Sequence, residues 1–301
     1  MRNLSPLRYP GGKVRLAPFF AQLLAIQDPV PIRYAEPFAG GAGAALRLLD
    51  EECVSHIHIN DVHPGIAAFW RSVTTHSDEF IQLIETTEVT ISQWHEQRAI
   101  FEAGPNGDDL ALGFATFFLN RTNRSGILTA RPIGGLNQTG RWLIDARYNK
   151  QGLISRIKRI QELADHITVT ELDALDFLDS IEHYEDNIFV YADPPYVVQG
   201  NKLYLHAFNA DDHKTLADKI LSALYPWVLT YDDEKSSGKI YMEANVVLAS
   251  TSLIPHKTVI SGQKPSSTGQ RLTFRALRKS PPAYKPIGSN LISHKTQSAY
   301  S

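Results

Sequence analysis

Between Ile32 and Asp61 the chain runs as a short apolar stretch, a glycine-rich turn, a helix and a second apolar stretch that stops on an acid. Ile32 to Phe38 enters Gly40-Gly41-Ala42-Gly43. Ala44-Ala45-Leu46-Arg47-Leu48-Leu49 follows with helical character, and His56 to Asn60 is a strand closed by Asp61. Strand, turn, helix and strand in that order open a doubly wound α/β sheet, and few other architectures begin this way. Short apolar runs at Ile167–Thr170, Ile188–Tyr191, Trp227–Tyr231 and Asn245–Leu248 resume the sheet, with Arg271–Leu277 as one more. The expected fold class is α/β, a doubly wound mixed sheet that is mainly parallel.

An amphipathic helix is expected over Val14–Gln27, ahead of the first strand. From His63 to His166 the pattern changes to helices at Ile66–Val73, Ile91–Phe101, Asp109–Asn120 and Leu153–Leu163. A glycine-rich stretch with the look of a hairpin, Ile127–Ile144, lies among them. The expected organisation is a discontinuous domain of residues 1–62 and 167–280, an inserted domain of residues 63–166, and a flexible basic tail, residues 281–301, starting at Ser280-Pro281-Pro282.

The net charge of −2 hides a segregation. Leu110 to Ile160 holds nine Lys/Arg against Asp145 alone, and Lys257 to Ser301 holds eight Lys/Arg and no acid. Two basic patches on an otherwise acidic chain point to an anionic partner. The single cysteine, Cys53, makes neither an internal disulfide nor a cysteine-based zinc site, and no run approaches 18 apolar residues. A cytoplasmic protein with no membrane partner is the expectation. His56 and His58, two apart on a strand, face one side, but without a third ligand nearby no metal is expected.

The chemistry is concentrated at Asp193-Pro194-Pro195-Tyr196, which closes the apolar run Asn187–Ala192. The prolines fix φ near −65° and donate no N–H, so the Pro194 carbonyl and the Asp193 carboxylate can face one small space. Two acceptors match the two N–H bonds of an exocyclic amine, and Tyr196 offers a π-face to the attached ring. A strand end with a proline stop explains the four letters equally well by themselves. On the cofactor side, Glu36-Pro37-Phe38-Ala39-Gly40-Gly41-Ala42-Gly43 lacks the Gly-x-Gly-x-x-Gly spacing of dinucleotide sites and is followed by no phosphate-binding lysine. With Asp61 placed to accept from ribose hydroxyls, it suits a nucleoside without a pyrophosphate, and S-adenosylmethionine fits. In Arg8-Tyr9-Pro10-Gly11-Gly12-Lys13, Tyr9 can cover a flat or sulfonium group and Lys13 can meet a carboxylate.

Taken together, these motifs resemble the Dam-like family of DNA adenine-N6 methyltransferases, along nearly the whole chain. The resemblance also takes in Phe118-Leu119-Asn120-Arg121 and Asp176-Phe177. It implies a Rossmann-like methyltransferase domain that uses S-adenosylmethionine, flips adenine out of double-stranded DNA and methylates N6. It implies that Tyr9, Lys13, Asp61 and Asp193 border the cofactor, with the turn residues Glu36, Pro37, Phe38, Gly40 and Gly43, and with Asp176 and Phe177 beside its adenine. Asp193, Pro194, Pro195 and Tyr196 become the catalytic motif, with Tyr204 and Phe208 as aromatic support. Residues 63–166 become a target-recognition insertion, and Arg8, Asn120, Arg121, Asn123, Arg124, Ser125, Arg131 and Arg141 become the chain's DNA-binding set. Arg147 is a further candidate, whereas Lys150, Arg156, Lys158 and Arg159 are expected on phosphate or in water.

Two departures stand out. Tyr9 replaces the tryptophan of the best-known members, and the stretch after Gly126 differs from that of GATC-methylating enzymes, so the target sequence is open. A cognate restriction nuclease or defence system is an open partner. Cytosine carbon-5 chemistry is rejected, because Cys53 follows Glu52 rather than the proline expected before such a nucleophile. Methylation of another amine, on cytosine N4, RNA adenine or protein glutamine, is disfavoured by aspartate at the head of the four-letter motif. A silent DNA-binding module is disfavoured by the joint presence of Lys13, Asp61 and Asp193. A nicotinamide dehydrogenase lacks its glycine fingerprint.

Overall fold

The computed structural model describes residues 4–9, 13–195, 210–231, 247–249 and 257–261. Seven strands form one sheet: β1 (Arg33–Glu36), β2 (His56–Asn60), β3 (Ile167–Thr170), β4 (Ile188–Ala192), β5 (Trp227–Tyr231), β6 (Val247–Ala249) and β7 (Lys257–Ser261). Their order is β3-β2-β1-β4-β5-β7-β6. The first five are parallel, with Tyr34 opposite Ile57 on one side and Phe189 on the other. β7 runs antiparallel to β5, and β6 antiparallel to β7. The chain leaves β1 outward through β2 to β3, then returns to β4 on the other side of β1. The switch point is therefore the crevice beyond the carboxyl ends of β1 and β4, where open α/β sheets take their ligands.

Side chains alternate across the strands, and each face is covered. On one face Tyr34, Ile57, Ile59, Phe189, Tyr191 and Val228 pack with α1 (Ala17–Ala25), which follows a 3-10 turn at Lys13–Leu16, and with α2 (Gly43–Asp50). On the other face Ala35, Val190, Ala192 and Leu229 pack with Phe177 and Leu178 of α8 (Ala174–Ser180) and with Leu216, Ala217 and Ile220 of α9 (Ala210–Ser222).

Between β2 and β3 come α3 (Pro64–Thr75), α4 (Ser77–Thr86), α5 (Ile91–Ala103), α6 (Asp109–Thr122) and α7 (Lys150–Glu162). Polar residues cap the starts of α5, α6 and α7: Thr90, Asp108 and Asn149 accept from the N–H of Gln93, Ala111 and Gly152. Aromatic rings fill the space between these helices. Phe69 stacks on Phe117, Phe80 meets Phe69, Phe114 and Phe117 edge-on, and Tyr148 closes on Phe117. This cluster is continuous with the first face of the sheet.

Several expectations change here. The hairpin expected over Ile127–Ile144 is not one: turns fill the stretch, and an isolated bridge between Asn123 and Pro132 is its ladder contact. The Gln138 side chain donates to the carbonyls of Ile133 and Gly135 and accepts from Ile144 N–H at 2.8 Å, taking backbone groups that a ladder would pair. Helix α4 adds to the expected helices, with Phe80 and Ile84 at helical spacing and buried. Strand β7 likewise adds to the expected strands. The expected strand Arg271–Leu277 and the tail lie outside the described residues. Among the described residues, no helix is long and apolar enough to cross a membrane.

Candidate active site

Four strand ends converge on the switch point. Asp193 follows β4 directly, and its carboxylate is held from two sides. Lys13 Nζ lies 3.0 Å from Oδ2, and the Thr230 hydroxyl, from β5, donates to Oδ1. Thr230 has one proton to give, so the Tyr191 hydroxyl at 2.9 Å must donate to Thr230 in turn. A relay of buried hydroxyls thus fixes the plane of a carboxylate that keeps some solvent contact. Pro194 and Pro195 are buried beside it. Tyr196, Tyr204 and Phe208 lie outside the described residues.

Glu36 ends β1 beneath this pair. Its Oε1 accepts from the Tyr34 hydroxyl at 3.0 Å and from Ala45 N–H in the first turn of α2 at 3.2 Å. Burial pushes its carboxyl up to about 8, and the nearby Asp193 charge adds to the effect. At neutral pH this favours the protonated form of Glu36.

The glycine turn between β1 and α2 is tied to β2 by Asp61, whose two oxygens accept from Gly40 N–H at 2.8 Å and His63 N–H at 3.0 Å. Burial lifts Asp61 to about 6 against the pull of those two bonds. Gly40 needs its hydrogen side chain twice over: φ is +46°, and a Cβ there would stand 2.7 Å from Cζ of Tyr9, whose ring lies on the turn. Two further residues hold this turn. Trp70 of α3 donates from Nε1 to the Gly40 carbonyl at 2.9 Å. Asn60 donates to the carbonyls of Pro37 and Leu172 and accepts from the Thr170 hydroxyl and from Leu172 N–H, joining three strand ends. Gly43 opens α2, and Phe38 packs against the second core. Asp176 is exposed in the first turn of α8, whereas Phe177 is buried in the core below.

The site fits S-adenosylmethionine on its own chemistry. Asp61 places a carboxylate directly after β2, and the Tyr9 ring lies against Gly40 and Gly41, which have no side chains to exclude a flat ligand. Lys13, which can meet a carboxylate, has its ammonium 3.0 Å from Asp193 Oδ2.

Arg8, Arg121, Arg147 and Arg156 draw together at the end of α6. Arg121 donates to the carbonyls of Arg147 and Pro6, Arg156 to Ser5, and Arg8 to Asn123. These bonds all go to neutral backbone carbonyls, so they leave the net positive charge of the group unchanged. Burial, then repulsion from Arg156 and Arg8, lowers Arg121 to about 10. Burial likewise lowers Arg8 and Arg156. Arg124, Ser125 and Arg131 are exposed beside this group. Arg141 lies over the ring of Trp142, which is 65% exposed.

Two members of the expected DNA-binding set are placed differently. Asn120 and Asn123 are buried, with their carboxamides spent on the chain itself. Arg159 is ion-paired to Asp50 and Glu162, and Lys150 donates to the carbonyls of Glu85 and Thr87. His56 and His58 have ring centroids 4.8 Å apart. Among the described residues, no group of three His, Cys, Asp or Glu could hold a metal.

No curated protein matches the chain. The family model of the D12 class N6 adenine-specific DNA methyltransferases matches residues 9–253 of its 301. The chain therefore belongs to that family, and its reaction is the transfer of a methyl group from S-adenosylmethionine to adenine N6 in DNA.

Proposed function

We propose that Asp193 and Pro194 hold the target amine, and that the observation carrying this reading is the double anchoring of Asp193 by Lys13 and Thr230 at the end of β4. The N6 lone pair of adenine is delocalised into the ring and is a poor nucleophile. Two acceptors on its N–H bonds, the Asp193 carboxylate and the Pro194 carbonyl, favour a pyramidal nitrogen and offset the positive charge growing on it. A preorganised group of this kind is worth ~10²–10³ in rate. S-adenosylmethionine, when bound, supplies an electrophilic methyl on a sulfonium. Tyr9, Asp61 and the Gly40–Gly43 turn would hold it, with Glu36 supporting the turn through Ala45 and Asp176 standing at the rim. Tyr196 would stack the adenine, which must leave the duplex to be reached, at a cost of a few kcal/mol.

Residues 63–166 would read the DNA, with Arg8, Arg121, Arg124, Ser125, Arg131 and Arg141 facing it. Asn120 and Asn123 would serve by shaping that segment rather than by touching DNA. Residues 1–62 and 167–280 would form the catalytic part, and the basic residues 281–301 would add charge. A cytoplasmic setting completes the reading, and a restriction nuclease or defence system stays an open partner.

The test is an in vitro methyl-transfer assay with cofactor binding measured in parallel. Asp193→Ala is expected to abolish transfer while largely keeping S-adenosylmethionine affinity. Transfer near the wild-type rate would sink the assignment.

A further inference from the structure

Asn120 treats residue 8 as a neighbouring strand would. Its Oδ1 accepts from Arg8 N–H at 2.6 Å, and its Nδ2 donates to the Arg8 carbonyl at 2.9 Å. The same Nδ2 donates to the Gly126 carbonyl, also at 2.9 Å. Gly126, at φ +78°, approaches so closely that a Cβ there would fall 2.5 Å from the Arg8 carbonyl oxygen. Both polar groups of the Arg8 backbone are thus fixed by a buried carboxamide, and a glycine backs them. The next residue is Tyr9, whose ring lies on Gly40 and Gly41. An arginine-rich segment far along the chain therefore sets the residue that covers the glycine turn.

We infer that Asn120 is a positioning residue for the cofactor pocket: by fixing the Arg8 backbone it sets Tyr9 over Gly40 and Gly41, and so governs how tightly S-adenosylmethionine is held. The inference rests on Tyr9 and that turn bordering the cofactor, as proposed above.

Asn123 provides the control. It is equally buried, and its carboxamide also makes three bonds, accepting from Trp94 Nε1 at 2.7 Å and donating to the Ile127 and Leu128 carbonyls. None of the three reaches the Arg8 backbone. General loosening of the segment would affect both variants alike.

The experiment is calorimetric titration of S-adenosylmethionine into the full chain, with thermal melts on the same samples. Tyr9→Ala and Asn120→Ala are each expected to raise Kd about tenfold, the effect of losing roughly one well-placed buried contact. Asn123→Ala is expected to lose comparable melting temperature and to keep Kd within about twofold. Unchanged affinity in Asn120→Ala, or an equal loss in Asn123→Ala, overturns the inference. Wild-type affinity in Tyr9→Ala overturns the reading of the pocket, and the inference with it. If Asn120→Ala does not fold, Gly126→Ala decides: its Cβ displaces Arg8 with Asn120 intact, so weaker binding supports the inference and unchanged binding overturns it.

Discussion

Lys13 Nζ lies 3.0 Å from Asp193 Oδ2, joining the segment before α1 to the carboxyl end of β4. Both side chains are largely buried, so the cost of desolvating the two charges offsets much of their attraction and the pair is weak evidence for stability. Its effect is orientation: with Thr230 on the other oxygen, the carboxylate plane has no freedom to turn. The acid at the switch point is aimed before any substrate arrives.

Thr230→Val keeps the shape of the side chain and removes the donor to Asp193. Methyl transfer is expected to fall by about 10- to 100-fold, with cofactor affinity unchanged, because only aim is lost. Thr230→Ser keeps the hydroxyl and is expected within about threefold of wild type. Steady-state kinetics with a cofactor titration checks both. Equal rates for Val and Ser would remove Thr230 from the account.

Glu36 provides a pH signature. Its folded carboxyl is raised to about 8 from an ordinary carboxylate value, so the folded state binds more protons than the unfolded chain between the two. The contribution is fully present at low pH and is lost as pH rises through about 8. Glu36→Gln, which mimics the protonated form, is expected to flatten stability between pH 6 and 9 in urea unfolding. Parallel profiles for the two proteins would contradict a protonated Glu36.

His58 acts with the opposite sign. Burial, and then repulsion from His56, Arg33 and His183, lowers it to about 4. The unfolded chain therefore binds the extra proton between about 6.5 and 4, and stability falls as pH drops through that window. His58→Phe is expected to lose less stability than wild type between pH 7 and 5, as read by denaturant midpoints. A steeper loss in the variant would refute the assignment.

Arg124 is exposed on the proposed DNA face. Arg124→Glu is expected to weaken duplex binding about tenfold at low salt and make the salt dependence shallower by about one contact. S-adenosylmethionine affinity should not change. Anisotropy titrations at two salt concentrations test this, and wild-type DNA affinity would move the interface elsewhere.

The strand ends were legible because each places an acid after an apolar run: Glu36, Asp61 and Asp193 could be ranked from the sequence and meet around one crevice. Their supports were less so. Thr230 acts on a residue 37 positions away, and a threonine at the end of a buried strand gives no warning of a partner. Trp70 reads simply as core, and its one polar atom is what holds Gly40. Asn120 and Asn123 sit among arginines and read as DNA contacts, yet their side chains satisfy backbone groups that no sequence pattern displays. Gly134, Gly135 and Gly140 suggested a hairpin, but glycines permit many turns, and the bonds of Gln138 selected a different one.

The most direct measurement is modified-base sequencing of DNA from a methylation-free host expressing the chain, beside the same host expressing Asp193→Ala. The account predicts N6-methyladenine at one recurrent motif with the wild type and none with the variant. Equal N6-methyladenine from the two proteins would contradict the role given to Asp193. No modified adenine from a wild-type chain that binds S-adenosylmethionine would contradict the account at its centre.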